Sequence, residues 1–495
     1  MENETKSTNN HETNGDVILR ALTDEQIYLA ERRKEMEAVS DKEITKRIFH
    51  IAWPATVEAL LQSTIRIVTS ALLGHMPGAA LAISASGLAD RLIRLSWGLF
   101  AAVGTGSTVM IARSIGAGNQ ENANSFAAQA LTLGAIFMLA ITSVLLIFPS
   151  QLMNLLFNRG GAMDPELMTT AIAFMRITAW SVPLMGINQI LGAIMRGAGN
   201  TRVTLYTNTI ANLVNAALGY ILIFGNFGAP TMGITGAALA TVISQGVGAI
   251  IAIVIFFFIQ KDLKIQFAKL RLKLESVKQV FSIGVPHASE MLLMQFGQIA
   301  LAGLVGSMGV VALAAHTQGI VAESISFLPA MGFGIAATTL VGMSVGVGSV
   351  TLVKRYVKVL AKCNIALTAF TASILIFAPR QIFGVLTNDP DVIALGAIYL
   401  MIMGFCQFPQ QLTGVFAGTL RGSGDAKATL FNSLIGLWVV RIPLSFLFAN
   451  FFGWGIIGVW SAMAIDLVVR FILTIIRYLR GKWQRTALQI AGEEG

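Results

Sequence analysis

The sequence predicts an all-α polytopic membrane protein with twelve transmembrane helices in two six-helix lobes, related by a pseudo-two-fold axis along the membrane normal. Three observations predict this architecture. The 495 residues are 55% hydrophobic and only 12% charged. Apolar runs of about twenty residues, the length that crosses a bilayer, recur along the chain. The pattern of the first half of the chain also returns in the second half.

The low charge content excludes an ordinary soluble domain, in which about 25% of residues are charged. Residues 127–148 and residues 236–259 are two of the long apolar runs. Hydropathy predicts about twelve spans. Their approximate starts are Phe49, Ala80, Phe126, Leu167, Thr204, Gly236, Phe281, Val311, Lys358, Ile393, Thr429 and Ile456.

The net charge of +9 is distributed unevenly between the loops. Lysine and arginine concentrate in the N-terminal extension, in every second connection and in the C-terminal tail, whereas the other loops hold only Arg159 and Arg380. Because basic loops stay on the cytoplasmic side, we expect a plasma-membrane protein with both termini in the cytoplasm. The basic surplus then faces membrane lipids, and we expect no nucleic-acid partner.

The predicted organisation has five segments. Residues 1–47 form a cytoplasmic extension, partly disordered, in which Ser40 and Glu43 have the spacing of a capping box that starts a helix. Residues 48–259 form the first lobe and residues 260–279 a basic cytoplasmic linker. Residues 280–480 form the second lobe, and residues 481–495 a cytoplasmic tail.

The internal repeat covers each lobe from end to end. "WPATVEALL" at 53 resembles "VPHASEMLL" at 285, and "GITGAALA" at 233 resembles "GIIGVWSA" at 455. Between them, "MRGAGNTRVTLYTN" at 195 matches "LRGSGDAKATLFNS" at 420. An even number of spans in each half puts the repeat axis along the membrane normal, with a cleft between the lobes.

The Arg-Gly-x-Gly phrase of this last pair predicts a tight cytoplasmic turn between the fourth and fifth spans of each lobe. Arginine would stay at the inner surface, and the glycines would make the turn. Asn200 or Asp425 would cap the helix that follows. A direct role in transport is the alternative interpretation.

These residues and their order resemble the multidrug and toxic compound extrusion (MATE) family. The resemblance is carried by "WPATVEALL", "ALAAHTQGI", "IARSIGAGN", "LRGSGDA", "GITGAALATVISQ" and the last two spans at 441–470, and it covers nearly all of residues 48–480. It implies two six-helix lobes and the export of small organic molecules, driven by inward H⁺ or Na⁺.

The chain departs from the family where cation coupling is concerned. One subgroup has aspartates at the positions of Thr69 and Gly219, and another has an acid at the position of Gln410. Coupling residues therefore cannot be transferred from the family. They have to be found among the residues present.

Four acids are candidate coupling residues, because a carboxyl group at membrane depth is energetically costly and its presence there indicates a function. Glu58 and Glu290 are related by the repeat, and so are Asp90 and Glu323. Each lies about 18–21 Å of helix past a membrane boundary, near the bilayer midplane, where coupling-ion and substrate sites of such carriers lie.

The two lobes differ in the cations near these acids. On the helices of the first lobe, Glu58 has Arg66 and Asp90 has Arg94 at helical spacing, whereas the corresponding positions of the second lobe are Gln298 and Phe327. A carboxyl without a cation exchanges protons more readily near neutral pH. Our hypothesis is that the acids of the second lobe carry coupling. The alternative is that arginines of other helices, including Arg441, neutralise all four carboxylates.

Other polar side chains complete the expected sites. Asp466 and Arg470 should form a local ion pair, and His316 should pack with one hydrogen bond. Beside the coupling acids, the candidate substrate-cavity residues are Arg66, Arg94, Gln62, Asn208, Asn212, Asn215, Gln298, Gln410 and Arg441.

We expect a secondary antiporter for small organic, often cationic and amphipathic, compounds. It would act as a monomer, with H⁺ or Na⁺ as coupling ion and without cofactor or metal. The alternatives are a flippase for lipid-linked precursors, an exporter of organic anions or zwitterions, and a channel. The chain has neither a phosphate-binding loop of an ATP-driven pump nor a His/Cys metal motif, so a primary pump and an enzyme are not expected.

Overall fold

The computed structural model describes residues 14–76, 78–157, 164–259, 263 and 272–491. Within these ranges only the backbone is described at 14–25, 62–67, 69–71, 74, 79, 80, 95, 259, 325, 486, 487, 490 and 491. Most of the predicted basic linker, 260–279, lies outside the described residues.

Every regular element of the described chain is helical, as the composition predicts. Eighteen α-helices follow one another. They are α1 Asn14–Glu37, α2 Asp41–Gly74, α3 Ala79–Gly116, α4 Gln120–Ile147, α5 Pro149–Phe157, α6 Pro165–Thr178, α7 Ser181–Gly197, α8 Arg202–Phe224, α9 Gly233–Val254, α10 Leu274–Gly306, α11 Val310–Gly346, α12 Val350–Phe377, α13 Pro379–Leu386, α14 Pro390–Gly422, α15 Ala426–Leu434, α16 Ile442–Phe446, α17 Gly455–Leu479 and α18 Gln484–Ala491. Two π-helical segments, Ile435–Arg441 and Leu447–Phe451, continue the path of α15 and α16.

Among the described residues, ten helices are long and apolar enough to cross a membrane. Helices α6 and α7 would make an eleventh span, bent by 49° at the break between them. Helix α2, where we predicted the first span, is not among these. The chain is thus a multi-pass membrane protein, although the predicted count of twelve is not reached by this measure.

The two halves form two lobes, and the repeat is visible in the helices. Helices α6 and α7 together run from Pro165 to Gly197, and α14 runs from Pro390 to Gly422, at a constant offset in the sequence. The second-lobe copy is one continuous helix where the first-lobe copy is broken. Helices α2–α9 build the first lobe and helices α10–α17 the second.

The lobes meet where α3 packs on α10 and α11, and where α11 also packs on α2. Two glycines bring the backbones of α3 and α10 together. A Cβ atom at Gly106 would collide with the carbonyl of Val280, and one at Gly284 with the carbonyl of Ala102. Small residues allow such close approach of membrane helices, where hydrophobic burial does not drive association.

Helix α1 contacts both lobes at the end of the molecule where these helices converge. Arg32 donates hydrogen bonds to the last carbonyls of α3, Nε to Gly116 at 2.7 Å and Nη2 to Ile115 at 3.1 Å. Arg355 of α12 donates to the carbonyls of Glu37 and Val39 at 2.7 Å and 2.8 Å. The extension is therefore fastened to the C-terminal end of one helix and to the first turns of another.

The start of α2 confirms the predicted capping box. The Ser40 hydroxyl accepts a hydrogen bond from the Glu43 amide, and Asp41 lies in the first turn. The Arg355 guanidinium donates to the Asp41 carboxylate at 2.7 Å and lowers the pKa of this exposed group below its ordinary value of 3.8.

The predicted caps after the two Arg-Gly-x-Gly turns are wrong. Asp425 makes no side-chain cap for α15, because its carboxylate binds the Arg477 guanidinium at 2.6 Å and 3.0 Å. In the first lobe the residue before α8 is Thr201, and the Asn200 side-chain oxygen is buried without a hydrogen-bond partner among the described residues. The turns themselves use glycines with positive φ, Gly199 and Gly424, as the sequence predicts.

Candidate functional site

One pair of acids occupies equivalent places in the two lobes. Glu58 of α2 accepts a hydrogen bond from Asn208 Nδ2 of α8 at 2.6 Å. Glu290 of α10 accepts one from Ser433 Oγ of α15, also at 2.6 Å. Asn208 and Ser433 hold the same position in the duplicated phrase. Duplication has therefore preserved a carboxylate that links the first helix of each lobe to the fifth.

The arginines of the duplicated phrase interact with these same acids. Arg421 Nη1 lies 3.6 Å from Glu290 Oε2, with only 16% of the arginine side chain exposed. Arg196, its repeat counterpart, interacts electrostatically with Glu58. The arginine of each phrase therefore acts electrostatically on an acid of its own lobe, a partner that the predicted turn did not include.

The surroundings of Glu290 correct the expectation that it lacks a nearby cation. Besides Arg421, His287 Nδ1 of the same helix lies 3.5 Å from its carboxylate. Thr429 Oγ1 donates a further hydrogen bond at 3.1 Å. For Glu290, an arginine of another helix therefore supplies the counter-charge, as the alternative hypothesis proposed for all four acids.

The other repeat-related acids are placed very differently. Asp90 is exposed, and so is Arg94. Arg94 acts electrostatically on Asp90, yet no ion pair within 4.0 Å joins them among the described residues. The helical spacing of Asp90 and Arg94 would allow an ion pair, but the two side chains do not form one.

Glu323 of α11, in contrast, is only 5% exposed. Tyr399 donates a hydrogen bond to one carboxylate oxygen at 2.6 Å, and Gln407 Nε2 donates to the other at 3.2 Å. Among the described residues no cation lies within ion-pair distance of Glu323. Both donors are neutral groups of α14.

Gln407 connects Glu323 to a buried polar network. Its side-chain oxygen accepts from Gln411 Nε2 at 2.9 Å and from Ser326 Oγ at 2.8 Å. Each member fixes the orientation of the next, because buried amides are costly when unsatisfied. The network therefore holds the Glu323 carboxylate in one position.

A cluster of three charged side chains lies on α17 and on the π-helical segment that follows α15. Asp466 of α17 is fully buried and bridges two arginines. Arg470 binds both of its oxygens, with Nε at 2.7 Å from Oδ1, and Arg441 Nε lies 2.7 Å from Oδ2. The predicted pair of Asp466 with Arg470 is confirmed, and Arg441 joins it from the π-helical segment.

These groups surround a cavity of about 300 Å³ in the second lobe. Four predicted site residues line it, namely Glu323, Gln298, Gln410 and Arg441. The other lining residues are Met294, Ile320, Phe327, Tyr399, Met403, Thr413, Met463, Leu467 and Arg470. Carboxylate, guanidinium, amide and phenol groups thus share one space with methionines and aliphatic side chains.

Apart from Glu290, the other predicted site residues lie in the first lobe. Asn215 bonds α8 to α9 through Thr241 and Ser244, at 3.4 Å and 3.2 Å. The Asn212 amide nitrogen is buried without a hydrogen-bond partner among the described residues. The side chains of Gln62 and Arg66 lie outside the described residues.

Tyr399 and Gln407 are the functional candidates that the sequence interpretation missed. The signal available for them was the spacing of polar residues on α14, where Gln407 and Gln411 are four apart in an apolar run. His316 behaves as predicted. It is buried, and its Nδ1 accepts one hydrogen bond from Trp460 Nε1 at 3.2 Å.

A two-lobed bundle of membrane-length apolar helices, with a small amphipathic cavity and buried ionisable groups, is typical of a membrane transporter. The family model MatE matches residues 54–221 and residues 286–447, one match in each lobe. The chain therefore belongs to the MATE family of multidrug efflux transporters.

Known relatives agree with this assignment. A probable multidrug resistance protein NorM from Thermotoga maritima is 31% identical over 450 residues, which cover 90% of this chain and 94% of the relative. A crystal structure of a MATE protein in the bent conformation superposes with a TM-score of 0.83 at 19% identity, over 92% of this chain and 98% of the other. The bent form of the Vibrio cholerae transporter VcmN gives 0.81 at 20% identity, over 91% and 99%. These structures share the two-lobe fold.

Proposed function

We propose that this transporter is a secondary antiporter that exports small organic, often cationic and amphipathic, compounds across the plasma membrane. Alternating access between the lobes would be driven by inward H⁺ or Na⁺. The protein would work as a monomer with both termini in the cytoplasm, and without a resident cofactor. Membership of the efflux family and the charge distribution along the sequence support this proposal.

The observation that carries the mechanism is the position of Glu323. It is a buried carboxylate that lines the second-lobe cavity, and its hydrogen-bond donors among the described residues are neutral, so it can take up a cation without displacing an arginine. Glu290 is already neutralised by Arg421. We therefore rank Glu323 as the first coupling group. Glu290 is a second candidate, and Glu58 and Asp90 follow with supporting roles in the first lobe.

Coupling follows from the cost of an uncompensated charge at membrane depth. A proton or Na⁺ neutralises Glu323, and so does the cationic group of a substrate, but the cavity accommodates one of them at a time. Movement of the lobes is then favourable only when a proton, Na⁺ or a substrate cation is bound at Glu323. Exchange of an external cation for an internal substrate is the result.

Proteoliposomes test this function directly. The purified protein should accumulate a lipophilic fluorescent cation against its concentration gradient when a pH gradient or a Na⁺ gradient is imposed separately. Collapse of the gradient by an ionophore should stop accumulation, and protein-free liposomes serve as the control. Transport that only equilibrates the cation, with no dependence on either gradient, would contradict the antiport and indicate a channel.

A further inference from the structure

The second-lobe cavity contains a cationic group that the proposed coupling does not use. Arg441 is only 3% exposed and lines the cavity. Its Nε lies 2.7 Å from Asp466 Oδ2, but the N–H bond does not point at that oxygen, and this buried nitrogen has no hydrogen-bond partner in the described part of the chain. Among the described residues none accepts a hydrogen bond from Arg441. A guanidinium has five N–H groups, so this side chain has donors to spare.

The positive charge of Arg441 is only partly compensated, because Arg441 shares the Asp466 carboxylate with Arg470. Asp466 is held by Arg470 through both of its oxygens. Two guanidinium groups therefore share one carboxylate, which leaves this trio with one excess positive charge. Glu323 also lines the cavity and acts on Arg441 electrostatically, but neither a hydrogen bond nor an ion pair within 4.0 Å joins the two side chains.

The first lobe shows that this charge is an addition to the duplicated scaffold. By the repeat, Arg441, Asp466 and Arg470 correspond to Ala216, Ser244 and Gly248. Ser244 there accepts a hydrogen bond from Asn215 in a neutral contact between α8 and α9. Because these equivalent positions of α8 and α9 hold no ionised side chain, the three ionised residues are not required to assemble this kind of lobe.

We propose that Arg441 is a recognition site for an anionic group of the substrate, such as a carboxylate, sulfonate or phosphate attached to an apolar body. The guanidinium would bind two oxygens of that group side by side, as its planar geometry favours. Methionines at 294, 403 and 463 would contact the apolar body. This inference rests on the proposed function and names the substrate class of its cavity: amphipathic compounds that carry an anionic group, zwitterions included.

Zwitterions make this inference compatible with cation-driven export. The cationic end of such a compound would lie against Glu323 while its anionic end lies on Arg441, since both side chains line the same cavity. Uptake of the coupling cation at Glu323 then displaces only the cationic end of the substrate. The arginine selects among substrates without taking part in coupling.

Three isosteric probes separate charge from shape: 2-naphthoate, 2-naphthamide and 2-naphthamidinium. Equilibrium binding to the purified full-length protein in nanodiscs, without any gradient, is measured by competition against radiolabelled 2-naphthoate. We expect 2-naphthoate to compete about tenfold better than the amide, because charge-assisted hydrogen bonds are the stronger kind. Arg441→Gln should abolish this preference and leave amide affinity within about twofold.

Two further variants keep the test decisive. Arg441→Lys retains the charge but not the paired donors, so 2-naphthoate affinity should fall severalfold even if the glutamine variant does not fold. Arg480→Gln, at an exposed arginine after α17, should bind like the parent protein. Equal competition by naphthoate and naphthamide in the parent protein, or an unchanged preference in the glutamine variant, overturns the proposal. Because no gradient is imposed, these results are independent of whether antiport occurs.

Discussion

The two lobes share one scaffold and one acid contact, but they differ in where the second repeat-related acid lies, and in the second lobe that acid lines a charged cavity. Glu58 with Asn208 and Glu290 with Ser433 are repeat-related hydrogen-bonded pairs, and each acid interacts with an arginine of the duplicated phrase. The lobes differ at the other pair of repeat-related acids. Asp90 is exposed in the first lobe, whereas its counterpart Glu323 is buried and hydrogen-bonded.

The helix that supplies the donors explains this difference. Tyr399 and Gln407 of α14 correspond to Phe174 and Val182 in the first lobe, which cannot donate a side-chain hydrogen bond. Helix α14 is also continuous where α6 and α7 are broken. The comparison teaches that the contacts between repeat-related acids and the phrase arginines belong to the scaffold, and that chemistry specific to this transporter resides where the repeats diverge.

The largest expected effect concerns the charged cluster of the second lobe, whose counterparts in the first lobe are uncharged. Asp466→Asn should lower the free energy of unfolding by about 3–5 kcal/mol, because it leaves two buried guanidinium groups without their carboxylate. Its first-lobe counterpart, Ser244→Ala, should cost only about 1 kcal/mol, the value of a neutral hydrogen bond. Thermal unfolding of both variants in the same detergent measures this. Equal losses would remove the distinction between the lobes.

The next effect concerns the shared scaffold. Arg421→Gln should lower the free energy of unfolding by about 2–3 kcal/mol, since Glu290 loses its arginine partner in a largely buried place. Lys427→Gln is the matched control, because Lys427 is an exposed cation in the same phrase. If the two variants are equally stable, the arginine is only a topological signal, as the sequence first indicated.

A smaller effect should be the same in both lobes. Ser433→Ala and Asn208→Ala each remove one hydrogen bond to a carboxylate, which is worth about 1–2 kcal/mol of unfolding free energy. The measurement is again thermal unfolding, with the isosteric change Ser433→Cys as a control for side-chain volume. A loss confined to one lobe would show that the pairs are not equivalent.

The smallest effect lies outside the lobes, where the extension binds α12. The folded-state pKa of Asp41 is lower than the ordinary value of 3.8, so its pairing with Arg355 stabilises the fold above pH 3.8. This contribution disappears as the pH falls through the folded-state pKa. Asp41→Asn should therefore be slightly less stable than the parent protein at neutral pH, and the two should converge in acid. A difference that persists at pH 2 would contradict this.

Much of the fold could be predicted from the sequence, because apolar run length, loop charge and an internal repeat are local signals. The repeat also gave the correct pairing of Glu58 with Glu290. The partners of these acids could not be predicted, because Arg421 and His287 approach Glu290 from another helix and from the preceding turn. Helical spacing on one helix suggested instead the pairing of Asp90 with Arg94, which the structure does not form.

The site shows the same limit. Glu323, Arg441, Gln298 and Gln410 were found as polar residues at membrane depth, and the structure brings all four to one cavity. Tyr399 was missed because a tyrosine in an apolar run is ordinary packing until its hydroxyl is seen to reach an acid. Which arginine keeps unused donors depends on bond directions that no sequence pattern carries.

The most direct test of the account compares Glu323 with its repeat counterpart. Gradient-driven uptake of a lipophilic cation into proteoliposomes should fall at least about tenfold in Glu323→Gln, because the variant cannot take up a coupling cation. Passive exchange of the same substrate, without a gradient, should persist in this variant and report a folded protein. Asp90→Asn should retain most of the gradient-driven uptake. Full uphill transport by Glu323→Gln, or its loss in Asp90→Asn alone, would contradict the assignment of coupling to the second-lobe cavity.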